Sequence, residues 1–326
     1  MCWSPELGLF CAVVYGSAIA ATSPDGKNWT RRTLPVSDKR ISVCWSPELG
    51  IFCAVAQNSA ASAVSKPLGL PVNTSPAPFL RSGAYVVHKD LYANNGGTWA
   101  KYASLDPNFY VDKWKTEAMP VSANWRSICW SPELGLFCAA AYNSAIAATS
   151  PDGKTWTQQT LPVTANWYSV CWSPELGLFC AVAYGSDIAA TSPDGKNWTQ
   201  QTLPVTANWY SVCWSPELGL FCAISWSSDI AATSPDGINW TQRTLPVTAK
   251  WISVCWSPEL GLFCAVAYDS AIAATSPDGT NWTQRKLPVS ANWRSICWSP
   301  ELGLFCAVVY DSAIAVTSYA LPSVTP

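Results

Sequence analysis

The stretch CWSPELGLFCAVAYGSDIAATSPDGKNWTQQTLPVTANWYSV, residues 171–212, is followed at once by CWSPELGLFCA from Cys213. The cysteine that opens CWSPELG stands at positions 2, 44, 129, 171, 213, 255 and 297, so all but one of the steps are 42 residues. The exception, from Cys44 to Cys129, is 85 residues, which is two periods plus one. The chain of 326 residues is therefore a tandem repeat with seven clear copies and the length for an eighth.

Each copy has the pattern of four short β-strands separated by turns. Prolines in SPELG, SPDG and LPV argue against helices, and aromatic and β-branched residues fill the runs NWYSVCW, LGLFCAVAY, DIAATS and NWTQQTL. Four strands in 42 residues match one blade of a β-propeller. The first two runs are apolar on both faces, as inner strands between blades are, and the fourth is polar. The sequence predicts an all-β fold, a single β-propeller over 1–326 with about eight four-stranded blades, seven clear and one degenerate.

Residues 66–111 are predicted to form the degenerate blade. The stretch after them, DKWKTEAMPVSANWRSI at 112–128, aligns without a gap with KNWTQQTLPVTANWYSV at 196–212. Residues 66–111 have their own alternation, AYVVHKDLY, their own turn, ANNGG, and many aromatic residues. Because aromatic residues are enriched in the cores of protein interfaces, we expect the principal protein contact here. The candidate interface residues are Phe79, Tyr85, His88, Tyr92, Trp99, Tyr102, Phe109 and Tyr110.

The motif SPDG occurs five times, and a tryptophan follows three residues after each glycine, as in Gly195 and Trp198. The block S-P-D-G-x-x-W-T resembles the Asp-box of sialidase-like propellers, although it is one residue shorter. That resemblance implies a hairpin between the third and fourth strands of a blade, not catalysis. The whole unit is also similar to the WSPELG and SPDGxNW repeats of phage and large-DNA-virus proteins, which implies a virion context.

The two cysteines of each copy are predicted to face each other across the first hairpin. If Pro174–Gly177 is a four-residue turn, Cys171 lies opposite Cys180. These pairs are either disulfides or small buried thiols between blades. The start, MCWSPELGLFC, lacks the pattern of a signal peptide, so we expect a chain made in the cytoplasm, with reduced thiols. With a single histidine, neither a metal site nor a cofactor is expected.

Composition and charge narrow the function further. The formal net charge is −2, the cationic residues are scattered, and no apolar run reaches 18 residues, so we expect neither nucleic-acid binding nor membrane insertion. The eight arginines suggest no converging set, and the seven SPELG glutamates are expected to mark solvated turns. On these grounds the chain is predicted not to be an enzyme.

Two functions remain open from the sequence. The first is a structural or protein-interaction scaffold, a virion or assembly component whose partner belongs to a capsid or tail. The alternative is a multivalent lectin with glycans stacked on one tryptophan per blade, although packing between blades is the favoured explanation of these residues: Trp125, Trp167, Trp209, Trp251 and Trp293. The copies differ mainly in the loop at 184–187 and its equivalents, and at the residue after this tryptophan, where binding could be tuned.

Overall fold

The computed structural model describes residues 1–66, 84–87, 90–95, 98–104, 111–310, 312 and 314–318. These residues contain 26 β-strands, which confirms the all-β fold. In chain order the strands are β1 Cys2–Ser4, β2 Leu9–Val13, β3 Ser17–Ser23, β4 Thr30–Ser46, β5 Ile51–Gln57, β6 Ser59–Ser65, β7 Ala84–Val87, β8 Asp90–Asn95, β9 Thr98–Ser104, β10 Trp114–Ala123, β11 Trp125–Ser131, β12 Leu136–Ala141, β13 Ser144–Ser150, β14 Thr157–Ala165, β15 Trp167–Ser173, β16 Leu178–Ser192, β17 Thr199–Ser215, β18 Leu220–Ser225, β19 Ser228–Ser234, β20 Thr241–Ser257, β21 Leu262–Tyr268, β22 Ser270–Ser276, β23 Thr283–Ala291, β24 Trp293–Ser299, β25 Leu304–Val309 and β26 Ala315–Thr317.

Most of these strands belong to seven antiparallel sheets, the blades of the propeller. The long strands β4, β17 and β20 each end one blade with their first half and begin the next with their second half. The long strand β16 bends to supply two strands of one blade. Blades 1 to 7 are β1–β4, β4–β5–β6–β10, β11–β14, β15–β17, β17–β20, β20–β23 and β24–β26.

The first hairpin of each blade has the predicted register. Cys171 pairs with Cys180 and Trp172 with Phe179, whose rings lie 4.5 Å apart. All fourteen cysteines are free thiols in the structure. Burial raises the pKa of the Cys222 thiol to about 12, so this group is protonated at neutral pH.

Neighbouring blades pack small side chains against large ones. Between blades 3 and 4, the buried Ala140 and Ala147 of blade 3 lie in one cluster with Trp167 and Phe179 of blade 4. The SPDG turn fits closely against the preceding blade, since a Cβ atom built on Gly195 would lie 2.8 Å from Thr149 Cγ2. That glycine also has a φ of 71°, so its position requires both the missing side chain and the left-handed backbone.

Every junction between blades has the same hydrogen bond. An indole Nε1 of one blade donates to a glutamate Oε2 of the SPELG turn in the preceding blade, at 2.5–2.7 Å. The seven pairs, taken in order, return to the start and close the ring: Trp45–Glu6, Trp130–Glu48, Trp172–Glu133, Trp214–Glu175, Trp256–Glu217, Trp298–Glu259 and Trp3–Glu301. Six of these seven glutamates are exposed, as expected for solvated turns, and Glu6 is buried. Each of the seven also accepts a bond from a buried tryptophan, a role that the sequence did not indicate.

The stretch 66–111 differs from the expectation of an eighth blade. Strand β6 pairs directly with β10, in the register Ser65↔Trp114, so these are the third and fourth strands of blade 2. The bond from Trp130 to Glu48 also joins blades 2 and 3 with no blade between them. Strands β7, β8 and β9 pair with one another in a separate three-stranded sheet. Residues 66–111 thus stand where blade 4 has only Pro193, Asp194 and Gly195, an insertion in the turn of a seven-bladed ring.

No helix in the described part of the chain has the length and apolar character needed to cross a bilayer.

Candidate functional site

The ring has two edges with different chemistry. Because the strands of a blade alternate in direction, the SPELG and SPDG turns lie on one edge, while the connections from second to third strand and from blade to blade lie on the other. That second edge carries the residue after the buried tryptophan of each blade and the loop from the second to the third strand, two places where the copies differ. We call this edge the tyrosine face.

The inner circle of the tyrosine face is formed by the second residue of each first strand. In blade 4 this residue is Tyr168, which follows the fully buried Trp167 and lies at the register shift between Trp167 and Ser169 in the pairing of β15 with β16. The equivalent residues of blades 2 to 7 are Ile41, Arg126, Tyr168, Tyr210, Ile252 and Arg294. All six line one cavity of about 160 Å³. They therefore converge on the same central space.

Tyr210 is the centre of the polar contacts in this circle. Its hydroxyl oxygen accepts one hydrogen bond from Arg126 Nη2 at 3.0 Å and a second from Arg294 Nη1 at 2.8 Å. The two arginines come from blades on opposite sides of Tyr210, each 84 residues away in the chain. The guanidinium carbon of Arg126 also lies 4.1 Å from the ring centroid of Tyr168, a cation–π contact.

An outer circle of six aromatic residues and one glutamine surrounds the inner one. Each stands at or next to the end of the second strand, and in blades 1 to 6 the next residue has positive φ, such as Gly185 (72°) or Asn143 (54°). The ring of Tyr184 stacks on Tyr168 at 4.9 Å, and the ring of Trp226 stacks on Tyr210 at 5.3 Å. The seven residues of blades 1 to 7 are Tyr15, Gln57, Tyr142, Tyr184, Trp226, Tyr268 and Tyr310.

The electrostatics of the inner circle favour an anionic or aromatic partner group. Within the described residues, neither Arg126 nor Arg294 has a carboxylate within 4 Å. Burial raises the pKa of Tyr168, although Arg126 opposes that shift, so the phenol is neutral at pH 7. The circle therefore carries two uncompensated guanidinium charges beside neutral aromatic rings.

The convergence of arginines corrects one expectation from the sequence. Arg126, Arg294 and Tyr210 occupy the same position of three different copies, and ring closure brings them together. Alignment of the repeats could have predicted this convergence, because equivalent positions of a closed ring face a common axis. The convergence was not predicted because the three residues are far apart in the chain.

The candidate glycan-stacking tryptophans do not lie on an accessible surface. Trp125, Trp167, Trp209, Trp251 and Trp293 all have 0% exposure. Their indole groups donate to backbone carbonyls, as Trp167 Nε1 does to Val163 O at 3.3 Å. The interpretation of these residues as sugar platforms is thus corrected, because their ring faces pack between blades.

The candidate interface residues of the insertion lie outside what the structure describes. Phe79, His88, Phe109 and Tyr110 are outside the described residues. Tyr85, Tyr92, Trp99 and Tyr102 lie in β7, β8 and β9, of which the structure describes no side chains. Among the described residues there is also no group of three or more histidine, cysteine, aspartate or glutamate side chains arranged to hold a metal ion.

Comparison with known proteins supports the fold. No protein-family model matches the chain, and no curated protein sequence does. Among solved structures, a YCF48 bound to D1 peptide is 15% identical, with a TM-score of 0.63, over 100% of this chain and 92% of that one. The virginiamycin B lyase of Staphylococcus aureus with quinupristin is 8% identical, with a TM-score of 0.66, over 94% and 93%. The hydrazine synthase of Kuenenia stuttgartiensis is 9% identical, with a TM-score of 0.66, over 97% and 94%. At these identities the likeness shows the propeller fold alone.

These neighbours overturn the prediction that the chain is not an enzyme. Several of the similar structures are enzymes by name, including a streptogramin B lyase, 10% identical with a TM-score of 0.60 over 89% of this chain and 86% of that one. The same neighbours include proteins of assemblies, such as the mitotic checkpoint complex. The propeller fold therefore carries both kinds of function, and the functional argument rests on this chain's own surface.

Proposed function

We propose that this chain is a protein-interaction scaffold that docks a partner protein on the tyrosine face. The observation that carries the proposal is the inner circle, where Arg126 and Arg294 converge on Tyr210 beside Tyr168. Tyrosine, tryptophan and arginine are the residue types that dominate binding energy at protein interfaces. The partner surface that complements this circle is one with exposed carboxylates or aromatic side chains.

Two further features support a protein partner. The inner circle is among the positions that differ most between otherwise similar repeats, with two isoleucines, two arginines and two tyrosines, so the copies differ where a partner would discriminate them. The insertion at 66–111 gives the ring one distinguished blade, and its aromatic residues 79–110 are a second proposed contact. A structural neighbour, YCF48, is described with a bound peptide, which supports a protein or peptide partner for a propeller of this size.

The resemblance of the repeats to those of phage and large-DNA-virus proteins supports a place for this scaffold in a virion. In that setting the partner is a protein of the capsid or tail assembly. The repeated SPDGxNW turns carry this part of the proposal.

The test is affinity capture from the producing cells with matched variants. The face variant is Arg126→Ala with Arg294→Ala, and the control is Lys154→Ala with Lys196→Ala, which removes the same charge from exposed SPDG turns on the opposite edge. We expect proteins enriched by the wild type to fall at least tenfold with the face variant and to persist with the control. Equal capture by both variants would contradict the proposal, as would the absence of any enriched protein.

A glycan ligand is the alternative that the same face could serve. It would stack on the half-buried rings of the outer circle, such as Tyr184 and Trp226, and not on the five buried tryptophans. A glycan array separates the two. Binding of a defined sugar that is lost in Tyr184→Ala would favour the lectin over the scaffold.

A further inference from the structure

One arginine of this ring is buried where the other blades have a tryptophan. Arg40, in the second half of β4, occupies the position of Trp167 in blade 4 and is 1% exposed. In the five other blades with a described residue at this position, the side chain is a fully buried tryptophan. Among the six described residues at this position, five are tryptophans, and Arg40 alone is a cation.

Among the described residues, the guanidinium group of Arg40 has no hydrogen-bond partner. The atoms Nε, Nη1 and Nη2 are all buried and unsatisfied. Asp38 is near enough to act through its charge, yet its Oδ1 accepts from Lys39 N and its Oδ2 from Ser59 Oγ. Burial lowers the pKa of Arg40, and the charge of Asp38 opposes that shift. A buried cation without hydrogen bonds is costly, so its retention calls for a group that completes it.

Arg40 lines a cavity of about 290 Å³ at the junction of blades 1, 2 and 7. Two more cationic side chains, Arg31 and Arg294, line the same cavity. The remaining walls are largely apolar and aromatic, and they include Val13, Val308 and Trp29. The volume lies near the lower end of the roughly 300–1,000 Å³ typical of small-ligand sites.

We propose that this cavity binds a carboxylate attached to an apolar body, with Arg40 as its anchor. The nitrogen atoms of Arg40 are buried in the ligand-free chain, so binding includes a turn of this side chain toward the cavity. The planar guanidinium then offers parallel N–H donors that match the two oxygens of a carboxylate. The apolar walls would take the rest of the ligand, and Arg31 and Arg294 would add to the positive field. This chemistry is shared by a free aliphatic acid and by the carboxyl terminus of a peptide with an apolar last residue. The proposal goes beyond partner docking on the tyrosine face and stands without it.

The test compares charged probes with neutral ones of the same shape. Isothermal titration calorimetry would measure hexanoate against hexanamide, and Ala-Ala-Leu with a free against an amidated carboxyl terminus. We expect the wild type to bind at least one carboxylate probe and to bind its amide at least tenfold more weakly. If hexanoate binds more tightly than Ala-Ala-Leu, the ligand is a small molecule. If Ala-Ala-Leu binds more tightly than hexanoate, the ligand is the carboxyl terminus of a chain. Failure of both carboxylates to bind the wild type would overturn the proposal.

Variants of Arg40 supply the second arm. Arg40→Trp restores the residue of the other blades and Arg40→Met removes the charge at similar length. We expect both to fold with a Tm at least equal to that of the ligand-free wild type, and to bind the carboxylate at least tenfold more weakly. Arg40→Lys keeps the charge without the fork and should bind with intermediate affinity. Equal binding of the carboxylate by the wild type and by Arg40→Met would overturn the proposal. The comparison of carboxylate with amide uses the wild type alone, so it tests the proposal even if a variant does not fold.

Discussion

Trp3 in the first blade donates its indole hydrogen bond to Glu301 in the last, with 2.6 Å between Nε1 and Oε2. The two residues are 298 positions apart, and the same bond is found at each of the six remaining junctions between blades. Around it, Trp3 and Phe10 pack in one buried cluster with Leu304 and Cys306. In the described residues, side chains therefore join blade 7 to blade 1 by the same contact that joins all other neighbours.

The bond between Trp3 and Glu301 predicts a measurable contribution to stability. Glu301→Ala leaves the buried indole N–H without an acceptor, so we expect the free energy of unfolding to fall by about 1–2 kcal/mol, at the low end for an exposed acceptor. Glu301→Gln keeps an acceptor oxygen and should lose less than half as much. Urea unfolding followed by tryptophan fluorescence measures both. Equal stability of Glu301→Ala and the wild type would refute the role of this bond.

The insertion predicts that blade 2 can be restored to the length of its neighbours. Replacing residues 66–111 with Pro-Asp-Gly should leave a folded ring, because Ser65 and Trp114 already pair and Trp114 stacks on Phe52 at 6.4 Å. The Tm and far-UV circular dichroism spectrum should match those of the wild type. An unfolded chimera would show that the insertion is part of the core.

The same chimera tests the proposed contact of residues 79–110. If the insertion carries a principal contact, the folded chimera should capture at least tenfold less partner than the wild type. Full capture by a folded chimera would show that the insertion does not contribute to partner binding, and the tyrosine face would then be the one remaining candidate surface.

The SPDG turns predict a loss of stability in acid. Burial raises the pKa of Asp194, but hydrogen bonds from the backbone of Asn197 and Lys196 and from two side chains outweigh it and lower that pKa from 3.8 to about 2. A carboxylate with a lowered folded-state pKa stabilises the protein above its unfolded pKa, and that contribution disappears as pH falls through about 2. We therefore expect the free energy of unfolding to decline between about pH 4 and pH 2.

The control for that prediction is the double variant Asp194→Asn with Asp236→Asn, since the pKa of Asp236 is also lowered to about 2. This variant should be less stable than the wild type at pH 7 and should lose less stability on acidification. Urea titrations at pH 7, 4, 3 and 2 measure the difference. Parallel pH profiles of the two proteins would contradict the assignment.

The paired cysteines predict thiols that are inert until the protein unfolds. Burial raises the pKa of Cys138 and Cys222 to about 12, so little thiolate exists at neutral pH. Iodoacetamide should leave the folded protein unmodified and add fourteen groups after unfolding without reductant. Mass spectrometry counts the adducts. A shortfall that disappears on reduction would reveal disulfides between pairs such as Cys171 and Cys180.

Local pattern was enough to predict the strands and the hairpin register. The turn at Pro174–Gly177 and the alternation around it set Cys171 opposite Cys180, and the structure has that pair. The number of blades depends on a contact between distant residues, the pairing of Ser65 with Trp114, which the sequence does not distinguish from a degenerate blade. Both arrangements leave the same intact repeat after residue 111.

The candidate site was harder to predict, because its residues are distant in the chain. The arginines at 126 and 294 meet at Tyr210 only after the ring closes, and no local pattern indicates that meeting. The tryptophan at 167 has the same local sequence whether it packs between blades or faces a ligand, and only its burial separates the two. Arg40 could have been singled out by aligning the copies, where it replaces a tryptophan.

The central claim is that the tyrosine face, and not the opposite edge, contacts the partner. The most direct measurement is site-specific photo-cross-linking in the producing cells with p-benzoylphenylalanine at Tyr184, on the tyrosine face, or at Ile238, which is 52% exposed on an SPDG turn. We predict a cross-linked partner protein of defined mass with the probe at Tyr184 and none with the probe at Ile238. An adduct from Ile238 alone, or equal adducts from both positions, would contradict the account.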